Sequence, residues 1–203
     1  MLKNIILQLA TYQAYDDLKL VFMINDDNSD MWETFKSLPH TWSDNKDIRF
    51  YAKNYEDMSK LSFYLDQVFT ARKSNNEENK REDGKINYKN VHPYYLLIVD
   101  NIKIIKNLEI INKILEEKNN LGFGLIVIND GISNLPNEIN NFLSADGTKS
   151  AIITNDLNKN NQQVFSMDLF EDVNLPLMCE KISNIPIKSE TILNELQNTV
   201  GFL

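Results

Sequence analysis

The chain has 203 residues and a mass of 23.6 kDa, with 42% apolar and 25% charged side chains, which predicts one globular domain over residues 1–203. Asp and Glu number 29 against 21 Lys and Arg, so the formal net charge is −8 and we expect no nucleic-acid partner. Only six glycines are present, and loops that cradle phosphate are built from glycine.

Short apolar runs alternate along the chain with stretches in which apolar side chains recur every three or four residues. The first pattern is typical of strands covered on both faces, and the second is typical of amphipathic helices. In chain order the sequence first predicts a helix from 2 to about 16, a strand over 18–24, a short helix over 31–36, a strand over 48–52 and a helix capped by Asn54 with its apolar stripe over 58–69. It then predicts a strand over 94–100, a helix over 108–115, a strand over 122–130 and a helix beginning at 134–136. The last predicted elements are strands over 151–154 and 163–167 and helices over 175–182 and 189–200.

One long segment, residues 73–90, breaks this pattern because it has mixed charge and very few apolar side chains. Such a segment buries too little surface to offset the entropy of ordering. The sequence therefore predicts that residues 74–90 form a mobile surface loop. A nucleic-acid contact is the alternative, but the charges of this segment nearly cancel.

The alternation of strands and helices predicts a parallel sheet flanked by helices, in an α/β fold of three layers. The last two strands are joined without a helix, so we expect them to be antiparallel and to lie at an edge of the sheet.

The single cysteine, Cys179, excludes an intramolecular disulfide framework and a zinc site built from cysteines. It lies on the apolar face of a helical pattern, which predicts a buried thiol. The longest apolar runs are about a third of a membrane span, and residues 1–6 are too short for the apolar region of a signal peptide and have no small-residue cleavage site, so we expect no signal peptide. These features predict a reducing, cytosolic environment.

Polar residues follow several predicted strands, at 25–27, at Asp100-Asn101 and at Asn129-Asp130. In open parallel sheets, ligands bind beyond the carboxyl ends of the strands. The apolar run into Asp100 has the shape of a Walker B strand, whose aspartate holds Mg²⁺ beside nucleotide phosphates. The next residue in catalytic motors is usually Glu, but Asn101 cannot accept a proton. A strand that merely ends in aspartate is the simpler alternative.

No phosphate-binding Walker A loop is present in the sequence. The string Gly147-Thr148-Lys149-Ser150 resembles the end of such a loop, but Phe142 stands where the first glycine belongs. A predicted strand follows it, whereas a Walker A loop leads into a helix. We therefore expect this string not to bind phosphate.

Other constellations point to no catalytic residue and no metal site beyond Mg²⁺ at Asp100. The two histidines, His40 and His92, are far apart in the sequence and have no partner at helical spacing. Trp32 and Trp42 suit either an aromatic docking surface or the core, and the core is the simpler interpretation.

Several segments together resemble motor domains of the FtsK/SpoIIIE type. They are the helix and strand over 8–21, the helix ending at Ala71-Arg72, the residues 86–100 that lead into the Walker B-like strand, and the strand at 122–127 with Asn129 as the polar sensor residue. Gln8-Leu9-Ala10-Thr11 together with Leu38-Pro39-His40-Thr41-Trp42 resembles one branch, the first and degenerate ATPase-like domain of the type VII secretion membrane ATPases (the EssC/EccC family). The resemblance covers roughly residues 2–187.

This resemblance implies a RecA-like, P-loop-NTPase-like sandwich that lacks the Walker A loop and lies on the cytoplasmic side of the cell membrane. It implies a vestigial nucleotide site at Asp100, Asn101 and Asn129, with no cofactor in this chain and with ATP and Mg²⁺ bound by the parent protein. The implied partners are other domains of the same secretion ATPase and other subunits of the secretion complex. Contact with the membrane is expected only through transmembrane helices of the parent chain.

Two alternatives remain open from the sequence. The chain is part of an active ATPase domain if a phosphate loop and its strand lie upstream of Met1. It is an unrelated α/β interaction domain if only the rhythm of strands and helices is shared, since fold alone does not fix function.

Overall fold

The centre of the fold is a sheet of four parallel strands in the order β2-β1-β3-β4. The computed structural model describes residues 1–78, 91–100, 107–131, 135–145, 150–154, 162–166 and 173–185. The strands of this sheet are β1 (Leu18–Met23), β2 (Tyr51–Ala52), β3 (Tyr94–Asp100) and β4 (Phe123–Ile128).

Helices cover both faces of the sheet, as the alternation of predicted elements indicates. They are α1 (Leu2–Tyr12), α2 (Ser29–Trp32), α3 (Tyr55–Glu78), α4 (Glu109–Glu116) and α5 (Leu175–Ser183), with 3-10 turns at Asp26–Asn28, Glu33–Ser37 and Pro39–Thr41. All six residues of β1 are buried, so both of its faces need cover. Val21 and Met23 belong to the cluster with α3 and α4, whereas Leu20 and Phe22 belong to the cluster with α1 and α5. The α/β fold with a parallel sheet is therefore confirmed.

Two buried side chains on the α1 and α5 face match their predicted environments. Trp32 is 4% exposed, and its ring centroid lies 6.1 Å from those of Phe22 and Phe35. Cys179 is fully buried in the same cluster. The core interpretation is confirmed for both side chains.

The predicted strand over 48–52 is shorter in the structure, where β2 keeps only its last two residues. Its first part pairs with the preceding turn, and only the Phe50 carbonyl also accepts a hydrogen bond from β1. Arg49 bridges to Trp42 and stacks on its ring at 3.5 Å, and the Phe50 backbone N–H donates to the Thr41 carbonyl at 2.7 Å. This local pairing satisfies backbone groups that the sheet would otherwise have to satisfy.

Helix α3 begins at its predicted cap and runs further than predicted. The Asn54 side-chain oxygen accepts a hydrogen bond from the Asp57 backbone N–H at 2.9 Å. Residues 74–78, predicted to open a mobile loop, are the last residues of this helix, which ends at Glu78. Two of these five residues are glutamates, which are good helix formers, whereas the serine and the two asparagines are weaker ones. The remainder of the predicted loop, 79–90, lies outside the described residues.

A second sheet of three antiparallel strands is built from β5 (Phe142–Ala145), β6 (Ser150–Thr154) and β7 (Gln163–Ser166). The predicted antiparallel pairing of the last two strands is confirmed, but they form this separate sheet with β5 and do not extend an edge of the parallel sheet. The helix predicted to begin at 134–136 is absent from described residues 135–145, which hold a turn and then β5. The apolar residues of this stretch recur at helical spacing, but the pairing of 142–145 with β6 places them in a strand instead.

No helix in the described ranges combines the length and apolarity needed to cross a membrane. The helix predicted over 189–200 lies outside those ranges.

Candidate functional site

The carboxyl ends of β1 and β3 form the crevice in which open α/β sheets bind ligands. β1 pairs with β2 on one side and with β3 on the other, and Met23 is level with Val99. The chain leaves β1 toward β2 and leaves β3 toward β4, so the two connections diverge here. Such a reversal of strand order opens a crevice at the carboxyl edge of the sheet.

Asp100 is the last residue of β3 and lies in this crevice with its side chain 9% exposed. The Asn28 side-chain amide donates a hydrogen bond to its Oδ2 at 2.7 Å. Asn28 ends the 3-10 turn that follows β1, and its backbone N–H donates to the Asn25 carbonyl at 3.0 Å. A hydrogen bond to a carboxylate is of the stronger kind, because one partner is charged. The turn after β1 therefore places a neutral amide over the Walker B-like aspartate.

The described hydrogen bonds do not join Asn129, another predicted site residue, to Asp100. Asn129 follows β4 and is exposed, and its side-chain amide donates to the Gly131 carbonyl. Asn101 lies outside the described residues. Asn28 was missed from the sequence, although it directly follows the polar run 25–27 that was singled out after the first strand.

Near the carboxyl edge, two basic side chains are paired with an acidic one. Lys36 and Lys53 both contact Glu33, at 3.8 and 3.5 Å. Burial, reinforced by Glu33 and Asp30, raises the pKa of Tyr51 to about 12. Across the described ranges, no Lys, Arg or His forms an ion pair with Asp100. Within the described residues, the Asp100 carboxylate thus has no paired cation that would offset the charge of a phosphate group.

Among the described residues, none supplies the phosphate-binding groups that a nucleotide with its Mg²⁺ would need. Mg²⁺ is usually held by carboxylates together with substrate phosphates, and phosphates need backbone N–H groups and a lysine. No cluster of three or more His, Cys, Asp or Glu suited to a metal is found within the described part of the chain. Gly147 and Lys149 lie outside that part, but the next residue, Ser150, begins strand β6. A phosphate loop would lead into a helix.

The string Leu38-Pro39-His40-Thr41-Trp42 lies away from the crevice, toward the amino ends of the strands. His40 is 2% exposed, and its Nε2 lies 2.9 Å from the carbonyl of Gln13, which precedes β1. The Thr41 hydroxyl donates to the Leu38 carbonyl at 2.8 Å and closes the turn. These contacts join α1, β1 and the turn, so the string has a structural role in this chain.

Arg72 has a comparable role where β3 and β4 begin. Its guanidinium donates to the carbonyls of Leu121 at 2.9 Å and Pro93 at 2.8 Å. Gly122 has φ of 76°, and a Cβ at this position would lie 2.5 Å from Arg72 Nη1. The arginine that ends the helical pattern thus fastens α3 to two strands and requires a glycine beside it.

Two surface cavities are lined by residues remote from Asp100 in the sequence. One, of about 440 Å³, lies between α3 and α4 and includes the ion pair of Lys73 and Glu117 at 3.2 Å. The other, of about 170 Å³, lies between α1 and α5 and is lined mainly by apolar side chains, among them Leu7 and Met178. Neither has the glycine-rich backbone of a nucleotide site.

Comparisons with known proteins agree with this fold. The chain is similar over all 203 residues to the type VII secretion system protein EssC of Staphylococcus aureus, with 20% identity for strain NCTC 8325 and 22% for strain MSSA476. It spans 13% of the length of each of these relatives. Among solved structures it is similar to EssC (ATPases 2 and 3) from Geobacillus thermodenitrificans, with a TM-score of 0.58 and 16% identity, covering 91% of this chain and 42% of that chain. No family model matches the chain.

The chain is therefore similar to EssC over its full length and has the fold of a solved EssC ATPase domain. The resemblance drawn from the sequence motifs is confirmed at this level. This similarity disfavours the alternative of an unrelated α/β interaction domain.

Proposed function

We propose that this chain is a non-hydrolysing, ATPase-like module of a type VII secretion membrane ATPase. It is the first, membrane-proximal module on the cytoplasmic side and couples the membrane region to downstream motor domains through protein contacts. The observation that carries this proposal is the carboxylate of Asp100, which accepts a hydrogen bond from Asn28 and forms no ion pair with a basic side chain in the described part of the chain. Asp100, which matches the aspartate of the family motif, thus forms a contact within the fold.

The missing phosphate cradle accounts for the absence of hydrolysis. A lysine and a row of backbone N–H groups supply several kcal/mol of phosphate binding, and their loss costs roughly three decades of affinity. Asn101 replaces the carboxylate that polarises the attacking water in active motors. Asp100, Asn101 and Asn129 are therefore vestigial, and any nucleotide binds weakly.

Calorimetry with Mg-ATP tests this part of the proposal on the 203-residue chain. We expect no binding heat at millimolar nucleotide and no phosphate release above buffer. Asp100→Ala removes the Walker B-like carboxylate, and Asp27→Ala removes an exposed carboxylate near the same edge as a matched control. Mg²⁺-dependent turnover that disappears in Asp100→Ala and persists in Asp27→Ala would overturn the proposal.

The antiparallel sheet supplies a surface for the coupling contacts. Leu143, Ile153 and Phe165 lie on one of its faces, as the strand register shows, and are 41%, 44% and 40% exposed. Apolar groups exposed together on one face are typical of interaction sites. Because the chain spans 13% of its relatives' length, other domains of the same protein are the occupants we propose.

Two neighbouring substitutions on β7 test this surface in the full-length secretion ATPase. Phe165→Glu charges the apolar face, whereas Val164→Glu charges the opposite face, where Val164 is 70% exposed. We expect Phe165→Glu to lower both secretion and the ATPase rate of the motor domains, and Val164→Glu to leave both unchanged. Equal effects of the two variants, or no effect of either, would contradict the coupling surface.

An ATP-binding domain completed by upstream residues is the second candidate, and the direction of α1 favours it. The helix leads through residues 13–17 to the amino end of β1, so α1 begins toward the carboxyl edge, as a helix after a phosphate loop does. Calorimetry on a longer protein that includes the residues before Met1 separates the two candidates. Tight, Mg²⁺-dependent ATP binding by that protein supports the enzyme, and its absence supports the non-hydrolysing module.

A further inference from the structure

The two histidines of the chain contact the same five-residue segment, residues 13–17, which connects α1 to β1. His40, in the 3-10 turn Pro39–Thr41, contacts the Gln13 carbonyl at 2.9 Å. His92, which precedes β3, has its Nδ1 3.5 Å from the Asp17 carboxylate. One end of the segment is therefore bound by a buried histidine, and the other by an exposed one.

The contact with Gln13 fixes which nitrogen of the neutral His40 ring carries the hydrogen. A carbonyl oxygen only accepts hydrogen bonds, so Nε2 carries the hydrogen and donates it. In the neutral ring, Nδ1 then has a lone pair and no hydrogen. This nitrogen is buried and has no hydrogen-bond partner in the described part of the chain. The site therefore accommodates the neutral imidazole and offers no acceptor for a second N–H.

The charges around His40 also disfavour its protonated form. Burial is the largest effect and lowers the pKa of His40, while the hydrogen bond to the Gln13 carbonyl opposes it. Lys19 of β1 lowers this pKa further, and Asp16 of the connecting segment raises it. Lys19 is 1% exposed and bound to Asp44 at 2.8 Å, so its charge is fixed near the ring.

We propose that His40 is an acid-sensitive latch that holds the segment 13–17 at its α1 end and releases it when protonated. The other end of the segment has no buried histidine, because the His92 and Asp17 side chains are 58% and 53% exposed and their contact is weak. The opening is therefore local, beginning at Gln13.

The expected rise in the population of the open segment follows from the pKa of a histidine that is exposed to solvent. An exposed histidine titrates near pH 6.5. If the ring protonates only after release, the open population rises by up to about 25-fold between pH 7 and pH 5, because each unit below the exposed pKa favours the protonated open form tenfold. A His40 that protonates in place gives a smaller rise.

Amide hydrogen exchange tests the latch, with protection factors corrected for the intrinsic exchange rate at each pH. The Leu18 N–H donates to the Ala14 carbonyl at 3.0 Å and reports on the segment. The Phe22 N–H donates to the Phe50 carbonyl at 2.9 Å and reports on the sheet. We expect protection at Leu18 to fall about tenfold or more from pH 7 to pH 5, with Phe22 unchanged.

Two matched variants separate the histidines. His40→Gln keeps an N–H donor at the Nε2 position and cannot take up a proton, so we expect the fall at Leu18 to vanish. His92→Gln should leave the fall in place. A fall that persists in His40→Gln, or that disappears only in His92→Gln, would overturn the proposal.

A titration of the wild-type chain keeps the test decisive if His40→Gln does not fold. The imidazole resonances of His40 and the amide resonance of Leu18 should change with one midpoint. An amide at Leu18 that follows the titration of His92, or that does not change while His40 titrates, contradicts the latch.

Discussion

Removing the carboxylate of Asp44 is expected to destabilise the fold more than removing the buried lysine that it contacts. Lys19 lies in the central sheet with its side chain 1% exposed, and its Nζ is 2.8 Å from Asp44 Oδ1. The ring of Tyr15 lies 5.6 Å from the same nitrogen. Asp44→Asn therefore leaves a buried ammonium without its counter-charge, whereas Lys19→Met removes the charge and keeps an apolar stem.

The geometry sets the scale of the difference. At 2.8 Å the attraction is about 1.5 kcal/mol if fully screened by water and about 6 kcal/mol at an effective dielectric constant of about 20. Because Asp44 is 70% exposed, we expect Asp44→Asn to lower the free energy of unfolding by about 2–3 kcal/mol, below the 3–5 kcal/mol typical of fully buried pairs. Lys19→Met should stay within about 1 kcal/mol of wild type.

Urea unfolding at pH 7, followed by circular dichroism, measures these differences, and the double variant completes the cycle. In the Lys19→Met background, Asp44→Asn should change the free energy of unfolding by less than about 0.5 kcal/mol. The reasoning is refuted if Lys19→Met costs as much as Asp44→Asn, or if the two effects add.

Three further predictions concern other buried groups. Asn28→Ala should lower the free energy of unfolding by about 1–2 kcal/mol, because it removes the hydrogen bond to the carboxylate of Asp100, a residue that is 9% exposed. In the same urea assay, Asp100→Asn should change the free energy of unfolding by less than about 0.5 kcal/mol. Arg72→Lys should cost about 2 kcal/mol in thermal unfolding, since an ammonium does not reproduce the fork that binds two carbonyls, and a Tm equal to wild type would contradict this. Burial raises the pKa of Cys179 from 9.0 to about 11, so the native thiol should not react with Ellman's reagent at pH 8 until the chain is unfolded. Because of the same rise, Cys179 stabilises the fold below pH 9, and this stabilisation is lost as the pH rises toward 11. The free energy of unfolding of a Cys179→Ala control should not show this pH dependence.

The sequence determined the local elements and the environments of many side chains. Strand β3 and helix α4 follow from apolar periodicity, the start of α3 follows from its Asn54 cap, and burial of Cys179 follows from its place on an apolar helix face. Each of these depends on residues within a few positions of one another. The position of Asp100 at the end of a strand follows for the same reason.

Two predictions from the sequence were wrong because the backbone pairs with a segment outside the local pattern. Residues 135–145 have a proline and a polar start that suit a helix, yet described residues there end in β5 because β6 is available to pair with it. Likewise, the first part of the 48–52 strand pairs with Trp42 and Thr41, which lie in a turn formed earlier in the chain. Propensity is overridden in both places by a backbone partner that the local pattern does not contain.

The candidate site shows most clearly what only the tertiary structure decided. The sequence predicts that Asp100 ends a buried strand. Asn28, however, is 72 residues away in the sequence and contacts Asp100 only because β1 lies beside β3. In the same way, His40 and His92 are far apart in the chain, and the order of the strands brings both to residues 13–17. Periodicity fixes which face of an element is apolar, whereas the pairing of distant strands fixes which polar side chains meet at their ends.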